Sequence, residues 1–319
     1  MRLAVLAVVL IAAPFALKPY GIYLLSLWAV MTIAAIGLNL TLGYAGQISL
    51  AQAAFVGIGA YITGWLTTKG AWPFWPTYFL GFASCFVVGW LLGYPALRVQ
   101  HHYLAFVTLA FNTLVFLVLR NEDWLTGGTY GLSGMPRPGF GSISFMKPLS
   151  FYYFALAVTA IAALILWGIV RSPWGRAFKA LRENPVRAES LGVDTRRITL
   201  LAFAIGSTYG GLAGALITPL VQFIEPGSFG LVHSLRLLLM VVVGGSGYFF
   251  GPFIGTGVVI LLPEVLRFTQ GYYLIIYSAL VIAMLAFFPK GLMGIGAWAR
   301  ERLRPRQDRR DIAAGAQLK

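Results

Sequence analysis

The feature that most constrains this chain is a succession of apolar runs, most of them long enough to cross a bilayer. A membrane-spanning helix needs about 20 mostly apolar residues. Ten candidate runs follow one another along the chain: Leu3–Leu17, Tyr20–Leu42, Leu50–Thr68, Thr77–Leu97, Tyr103–Leu119, Phe151–Val170, Thr199–Val221, Leu235–Val243, Pro252–Phe268 and Tyr272–Phe288. The sequence therefore predicts an all-α polytopic membrane protein with about 8–10 transmembrane helices, some of them broken or half-length.

Two of these runs are short. Leu3–Leu17 resembles the core of a signal peptide, but the next run starts within three residues, so a retained first span is favoured. Leu235–Val243 is too short to cross alone and ends in Gly244–Gly245–Ser246–Gly247. It predicts a half-helix that enters the membrane and breaks there.

Composition excludes the main alternatives to a membrane fold. Apolar residues make up 59% of the chain and charged residues 11%, against about 25% charged in a soluble domain. This excludes a disordered chain and argues against a water-soluble globule. The single cysteine, Cys85, excludes an internal disulfide framework and a multi-cysteine metal site.

The net charge of +14 is explained by where the basic residues lie. With ten crossings, 17 of the 24 lysines and arginines share one side, in four places: Arg2, Arg98, residues 171–197, and the chain from Lys290 onward. The positive-inside rule predicts that this side is cytoplasmic. We therefore expect a transmembrane domain over residues 1–290, with a cytoplasmic loop at 172–198. A basic cytoplasmic tail over 291–319 would lie beside lipid headgroups, and nucleic acid is not needed as a partner.

The loop 172–198 carries local signals for two short helices. Ser172–Pro173 and Asn184–Pro185 each combine an N-cap residue with a proline at the first helical position. Gly192 is a suitable left-handed C-cap residue, and Asp194 can cap the next span. A solvated connector does not need two helices held at a fixed angle, so the pattern favours a docking element.

Polar residues inside apolar runs and paired glycine clusters suggest a translocation path. The candidate path residues are Asn39, Gly43, Gly46, Gln47, Ser49, Gln52, Asn112, Gly244 and Gly245. Two other interpretations stay open. The polar side chains can equally join helices to one another, and the glycine clusters can be turns between helices near the inner surface. A third pattern, glycine at every fourth residue from Gly206 to Gly214, predicts close helix packing or a subunit-facing surface.

Catalytic chemistry is not indicated. The sequence has no phosphate-binding Gly-x4-Gly-Lys-Ser/Thr loop, so energy for active transport would have to come from a partner. The three histidines are not spaced with carboxylates as a metal site would be, and no nucleophile elbow is present. The absence of a chain of acidic residues in the spans weakens proton-coupled transport.

Several motifs resemble those of one family. The loop segments Gly175–Asn184 and Arg187–Gly192 resemble the coupling loop of permease subunits of branched-chain amino acid ABC importers, and the resemblance is closest to the M-type of the paired H and M subunits. Further similar segments are Gly37–Leu40, Gly43–Leu50, Ala53–Tyr61, Thr126–Leu132, Gly211–Leu216 and Leu238–Gly245.

This resemblance implies a multi-pass, non-catalytic permease subunit in a bacterial inner membrane. It would pair with an H-type permease and take substrate from an extracytoplasmic binding protein. Two cytoplasmic ATPase subunits would use ATP and Mg²⁺, and the chain itself would bind no cofactor. The residues implied to contact an ATPase are Arg176, Lys179, Arg182, Glu183, Asn184, Arg187, Glu189 and Gly192. Related permeases carry urea or amides, so the same importer class with that cargo remains an alternative. A self-sufficient secondary transporter is the other alternative.

Overall fold

The computed structural model describes residues 10–96, 101–140, 143–267, 272–288 and 291–294. The helices are α1 Pro19–Asn39, α2 Gln52–Thr68, α3 Phe74–Ala96, α4 His101–Asn121, α5 Asp123–Thr126, α6 Pro148–Arg171, α7 Pro173–Glu183, α8 Pro185–Ser190, α9 Thr195–Val221, α10 Leu231–Gly244, α11 Gly251–Val265 and α12 Tyr273–Phe287. A π-helical turn over Leu40–Tyr44 extends α1. The four strands have two residues each: β1 Leu132–Ser133, β2 Gly139–Phe140, β3 Ile143–Ser144 and β4 Phe223–Ile224.

By length and composition alone, five of the described helices can cross a membrane: α1 (with its π-turn), α3, α4, α6 and α9. Three shorter apolar helices are α10, α11 and Ile275–Phe287 within α12. The predicted all-α polytopic membrane fold is confirmed. The predicted first span lies partly outside the described residues. Its described part, from Leu10, packs on α6, where the Tyr152 hydroxyl donates to the Leu10 carbonyl at 2.8 Å.

Helices α1 and α9 form the centre of the bundle. In the most apolar 18-residue window, 78% of α1 and 72% of α9 is buried, against 28–39% of α3, α4 and α6. The outer helices expose large apolar side chains such as Phe79, Leu114 and Leu164. A surface of this kind suits contact with lipid tails rather than with water.

The central helices touch because α9 carries glycines at every fourth position. A methyl group added at Gly214 would lie 1.9 Å from the Val56 carbonyl oxygen of α2, and one at Gly206 would lie 3.0 Å from the Gly37 carbonyl oxygen of α1. Only hydrogen as a side chain permits this backbone approach. The close-packing interpretation of the glycine spacing is confirmed.

The bundle has two ends that differ in structure. The loop joining Arg171 of α6 to Thr195 of α9 defines what we call the loop end. Gly291 packs against the Gly245 backbone at this same end, so the described chain finishes there. At the opposite end, β1 pairs antiparallel with β4, and Leu132 lies across from Ile224.

Candidate functional site

The loop contains two short helices whose ends are fixed by side-chain caps. The Ser172 hydroxyl accepts a hydrogen bond from the Trp174 amide at 3.2 Å, and the Asn184 side chain accepts one from the Arg187 amide at 3.0 Å. Gly192 has a φ of +84°, a left-handed conformation that glycine adopts without strain. Asp194 caps α9 by accepting from the Arg197 amide at 3.0 Å. The predicted order of caps and helices in this loop is confirmed.

Helix α7 lies with one face on the bundle and the other exposed. Gly175, Phe178 and Leu181 are buried, and Gly175 sits so close to the Val170 carbonyl that a methyl group there would lie 1.9 Å from it. Of the predicted coupling residues, Asn184 is partly buried and the others are exposed: Arg176, Lys179, Arg182, Glu183, Arg187, Glu189 and Gly192. The loop therefore presents a mixed-charge, mainly basic surface on a preformed helical pair.

Arg182 links α7 to two glycine clusters, Gly43–Gly46 after α1 and Gly244–Gly247 after α10. Its guanidinium donates through Nη1 to the Gly43 carbonyl oxygen, although much of the residue remains exposed. A methyl group added at Gly46 would lie 2.9 Å from Arg182 Cγ, and one at Gly247 would lie 2.4 Å from Nη1. The side chain thus occupies the space where both clusters meet, at the loop end.

Asn39 joins the same two clusters from inside the bundle. It is 1% exposed, its Nδ2 donates to the Tyr248 carbonyl oxygen at 3.0 Å, and its Oδ1 accepts from the Gly247 amide at 2.9 Å. A methyl group at Gly43 would lie 2.3 Å from the Gly247 nitrogen. The turn after α1 (residues 40–46) and the turn between α10 and α11 (residues 245–250) therefore form one packed unit, which we call the paired turns.

The chain after the first turn rises into the bundle without forming helix. Gln47 Nε2 donates to Thr199 Oγ1 at 3.0 Å, in the first turn or so of α9. Gln52, the first residue of α2, donates to the carbonyls of Ala34 at 3.0 Å and Gly206 at 3.2 Å. Gly206 lies about 16 Å along α9 at 1.5 Å per residue. Helix α2 therefore begins well inside the bundle, and Ser49, buried within the rising segment, accepts from the Ala51 amide at 3.3 Å.

A second non-helical segment descends into the bundle from the opposite end. It runs over residues 222–230, begins at Gln222 in a left-handed conformation, and includes β4 and a 3-10 turn at Pro226–Phe229. Phe229 reaches Gly57 of α2, where an added methyl group would lie 3.1 Å from the Phe229 Cβ. Helix α10 therefore also begins inside the bundle, and it runs from there to the loop end.

The starts of these two half-helices meet. The Ala53 amide in the first turn of α2 donates to Ser234 Oγ at 3.1 Å, and Ser234 bonds with Asn112 Oδ1 of α4 at 3.3 Å. Asn112 is 1% exposed, and its Nδ2 has no hydrogen-bond partner within the described residues. Two helix N-termini, each with a partial positive charge, thus converge near the centre of the bundle.

The predicted path residues therefore fall into two groups. Asn39, Gly43, Gly46, Gly244 and Gly245 belong to the paired turns or border them, and Gln47, Ser49, Gln52 and Asn112 lie along the rise to the half-helix junction. Each polar side chain among them has a hydrogen bond to another element or to nearby backbone. These contacts join helices, so a role in the path stays a prediction.

The predicted half-helix is real but its bounds and its break differ. Helix α10 ends at Gly244, next to the predicted end, but begins at Leu231 rather than Leu235. The polar residues His233 and Ser234 hid this start, since Ser234 is satisfied only by distant partners. Gly244–Gly247 is a turn at the loop end, and the interior break is the 222–230 segment. Gln222, Glu225 and Pro226 were its local sequence signals.

No group of three or more metal-ligating side chains occurs within the part of the chain that the structure describes. The side chains of His101 and His102 lie outside the described set. His233 stands apart on α10. The arrangement offers hydrogen bonding, charge and helix dipoles along a membrane bundle.

A bundle of apolar, membrane-length helices with two interior helix starts, and with a capped helical pair seated on its turns, is typical of a multi-pass membrane transport protein. Comparison with known sequences makes this specific. The family model described as branched-chain amino acid transport system / permease component matches residues 21–287. The chain belongs to this family, and the resemblance inferred from its motifs is confirmed.

Individual relatives agree. The chain is 30% identical over 314 residues to the high-affinity branched-chain amino acid transport system permease protein LivM of Escherichia coli (strain K12), covering 91% of this chain and 74% of that protein. It is 26% identical over 223 residues to a probable LivM of Methanocaldococcus jannaschii, covering 65% of this chain and 64% of that protein. It is 25% identical over 291 residues to LivH of E. coli (strain K12), covering 84% and 92%. No solved structure matches the chain.

Proposed function

We propose that this chain is one of the two transmembrane subunits of an ABC importer that carries branched-chain amino acids into the cell. The LivM relative is named as a permease of a branched-chain amino acid transport system. The LivH relative is named for a transport system of the same description, which supports a second, homologous permease as the partner. Substrate would arrive from an extracytoplasmic binding protein, and two cytoplasmic ATPase subunits would supply the energy.

The orientation follows from charge. The loop end holds the basic segment 171–197 and the end of the described chain, and the tail beyond it is rich in arginine. By the positive-inside rule we infer that this end faces the cytoplasm, and we propose a bacterial inner membrane as the location. The opposite end, with the paired strands β1 and β4, then faces the binding protein.

The observation that carries the proposal is the seating of α7. Its apolar face is buried on the bundle, its charged face is exposed, and Arg182 reaches from it into the paired turns. A partner that moves α7 must therefore also move the turns that connect α1 to α2 and α10 to α11. The exposed charges, including Arg176, Lys179 and Arg187, are available to an ATPase surface.

The chain's own part is conformational. We infer that it catalyses no reaction and binds no cofactor, since the ATP and Mg²⁺ would be held by the ATPases. Closing of the ATPases around nucleotide would shift the bundle between states open to opposite sides of the membrane. The energy for that shift comes from differential binding of the partner to the two states.

The test is ATP-driven uptake of leucine by the reconstituted four-subunit complex, with the binding protein present. Arg182→Ala should lower uptake per ATP hydrolysed at least about fivefold while the ATPases still co-purify, because the link to the paired turns is lost. The matched control is Arg120→Ala, which should behave as wild type. Arg120 is exposed in the last turn of α4, at the end of the bundle opposite the loop end.

Three outcomes would contradict the proposal or a part of it. Uptake by this chain alone, driven by an ion gradient, would identify a secondary transporter. Uptake of urea or an amide with no uptake of leucine would keep the importer class and reject the cargo. Wild-type coupling in Arg182→Ala would remove the role given to the contact between α7 and the paired turns.

A further inference from the structure

A cavity of about 320 Å³ lies beside the start of α10. Its wall is mostly apolar and includes Leu27 of α1, Ile217 of α9 and Ile260 of α11. Ligand pockets in proteins usually measure about 300–1,000 Å³, so this one has room for a single small molecule. Phe223 and Ser228, which belong to the 222–230 segment, are exposed lining residues and form its rim toward the end of the bundle that carries β1 and β4.

The titratable nitrogen groups of the cavity come from one face of α10, while Tyr23 of α1 and Ser228 add hydroxyl groups. His233 and Arg236, three residues apart, both line it, and Met240 continues the same face. The His233 Nε2 atom is buried and has no hydrogen-bond partner within the described residues. Arg236 forms no ion pair with any carboxylate that the structure describes.

Arg236 is exposed and His233 is partly buried, so both side chains are accessible to a molecule in the cavity. An arginine at membrane depth is unfavourable when it faces lipid, and such residues usually face a partner or a water-filled path. The start of α10 adds the partial positive charge of a helix N-terminus within the bundle. A cavity with a cationic wall, an unpaired imidazole nitrogen and an apolar remainder suits a small anion that has an apolar side chain.

We propose that this cavity is the site where the permease holds its amino-acid substrate. The carboxylate would lie between Arg236 and the first turn of α10, and the branched side chain would contact Leu27, Ile217 and Ile260. Glu225 does not line the cavity, but it is exposed and its Oε1 lies 3.5 Å from Ser228 Oγ, so its charge would attract the ammonium group. The assignment rests on the proposed function, since it takes the cargo from there.

A thiol-protection experiment tests the assignment directly. Cys85, the single cysteine, is fully buried, so a Ser228→Cys variant offers one reactive thiol at the rim. In the solubilised complex, leucine at millimolar concentration should slow modification of this thiol by a charged methanethiosulfonate several-fold. Leucinamide, which has the same side chain but no carboxylate, should protect much less.

Arg236 is then tested in the same background. Arg236→Gln should abolish protection by leucine and lower ATP-driven uptake at least about tenfold, because a hydrogen bond to a charged group typically contributes that much or more. Arg236→Lys should retain part of the protection because it keeps the charge. Arg120→Gln is the matched control and should change neither measurement.

The outcomes separate this inference from the proposed function. If the wild-type complex transports leucine but leucine does not protect the Ser228→Cys thiol, the cavity assignment is wrong and the importer proposal stands. Equal protection by leucine and leucinamide, or unchanged protection in Arg236→Gln, would also overturn the role of Arg236. If the wild-type complex does not transport leucine, the proposed function fails and this site falls with it.

Discussion

The paired turns make Asn39 the side chain whose loss should be most damaging for its size. It holds the Gly247 amide at 2.9 Å and the Tyr248 carbonyl at 3.0 Å, and it is itself 1% exposed. Asn39→Ala removes both hydrogen bonds. Each is worth about 1 kcal/mol net, and a buried group left without a partner costs about 1–3 kcal/mol. Because both partners are on a partly buried turn that water can reach in part, we expect a total loss of about 2–4 kcal/mol.

The measurement is equilibrium unfolding in mixed micelles of dodecyl maltoside and sodium dodecyl sulfate, followed by tryptophan fluorescence. Asn121→Ala is the control, since Asn121 is exposed at the end of α4 and its substitution should stay within about 0.5 kcal/mol. Leucine uptake by the reconstituted complex should also fall in Asn39→Ala, because α10 and α11 lose their attachment to α1.

A change in the free energy of unfolding below about 0.5 kcal/mol for Asn39→Ala would refute the reasoning. It would mean that the turns are held by glycine packing alone and that the amide contributes nothing measurable. A normal unfolding free energy with lost uptake would instead give Asn39 a role in the path rather than in holding the turns.

Two further predictions concern the glycine stripe and the loop. Gly214→Ala should destabilise the bundle by about 1–3 kcal/mol because its methyl group would overlap the Val56 carbonyl. The control is Gly168→Ala, which has no atom within 4 Å of the added methyl group and should be neutral or stabilising by up to about 1 kcal/mol. Unfolding in mixed micelles measures both variants, and equal effects would contradict the packing argument. Charge reversal at the exposed residues Glu183 and Arg187 should separate ATP hydrolysis from uptake and leave membrane insertion intact, and normal coupling in both reversals would remove these residues from the docking surface.

The loop was predictable because its signals are local. Ser172, Asn184 and Asp194 each cap a helix through an amide two or three residues away, so the spacing that specifies the cap is printed in the sequence. The same holds for Gly192, whose positive φ is a property of one residue. Local chemistry of this kind is readable without knowledge of the fold.

The interior helix starts were not predictable in the same way. Hydropathy placed the start of α10 at Leu235 because His233 and Ser234 look unfavourable in a membrane. Ser234 is instead satisfied by Ala53 and Asn112, which are 181 and 122 residues away in sequence. Partners at that separation leave no periodic signal, so the run appeared shorter than the helix.

Arg182 shows the same limit for the site. Sequence motifs assign it to the docking surface, and the structure leaves much of it exposed there, but its contact with Gly43 follows only from how α7 sits on the bundle. The glycines gave a partial signal. Gly43 was a candidate path residue and Gly247 belonged to a predicted break, yet their mutual packing depends on two turns that lie about 200 residues apart in sequence.

These contacts form a continuous mechanical connection from the loop to the cavity. Arg182 contacts the paired turns, and α10 ends at Gly244 in the same unit. Helix α10 has 14 residues and is about 20 Å long, so it spans the distance from the paired turns to the cavity. We therefore expect a displacement of the paired turns to reach the other end of α10, where His233 and Arg236 line the cavity. Because one helix carries both the contact and the cavity wall, an ATPase that moves α7 would change the access or the charge environment of the cavity without a separate signalling element.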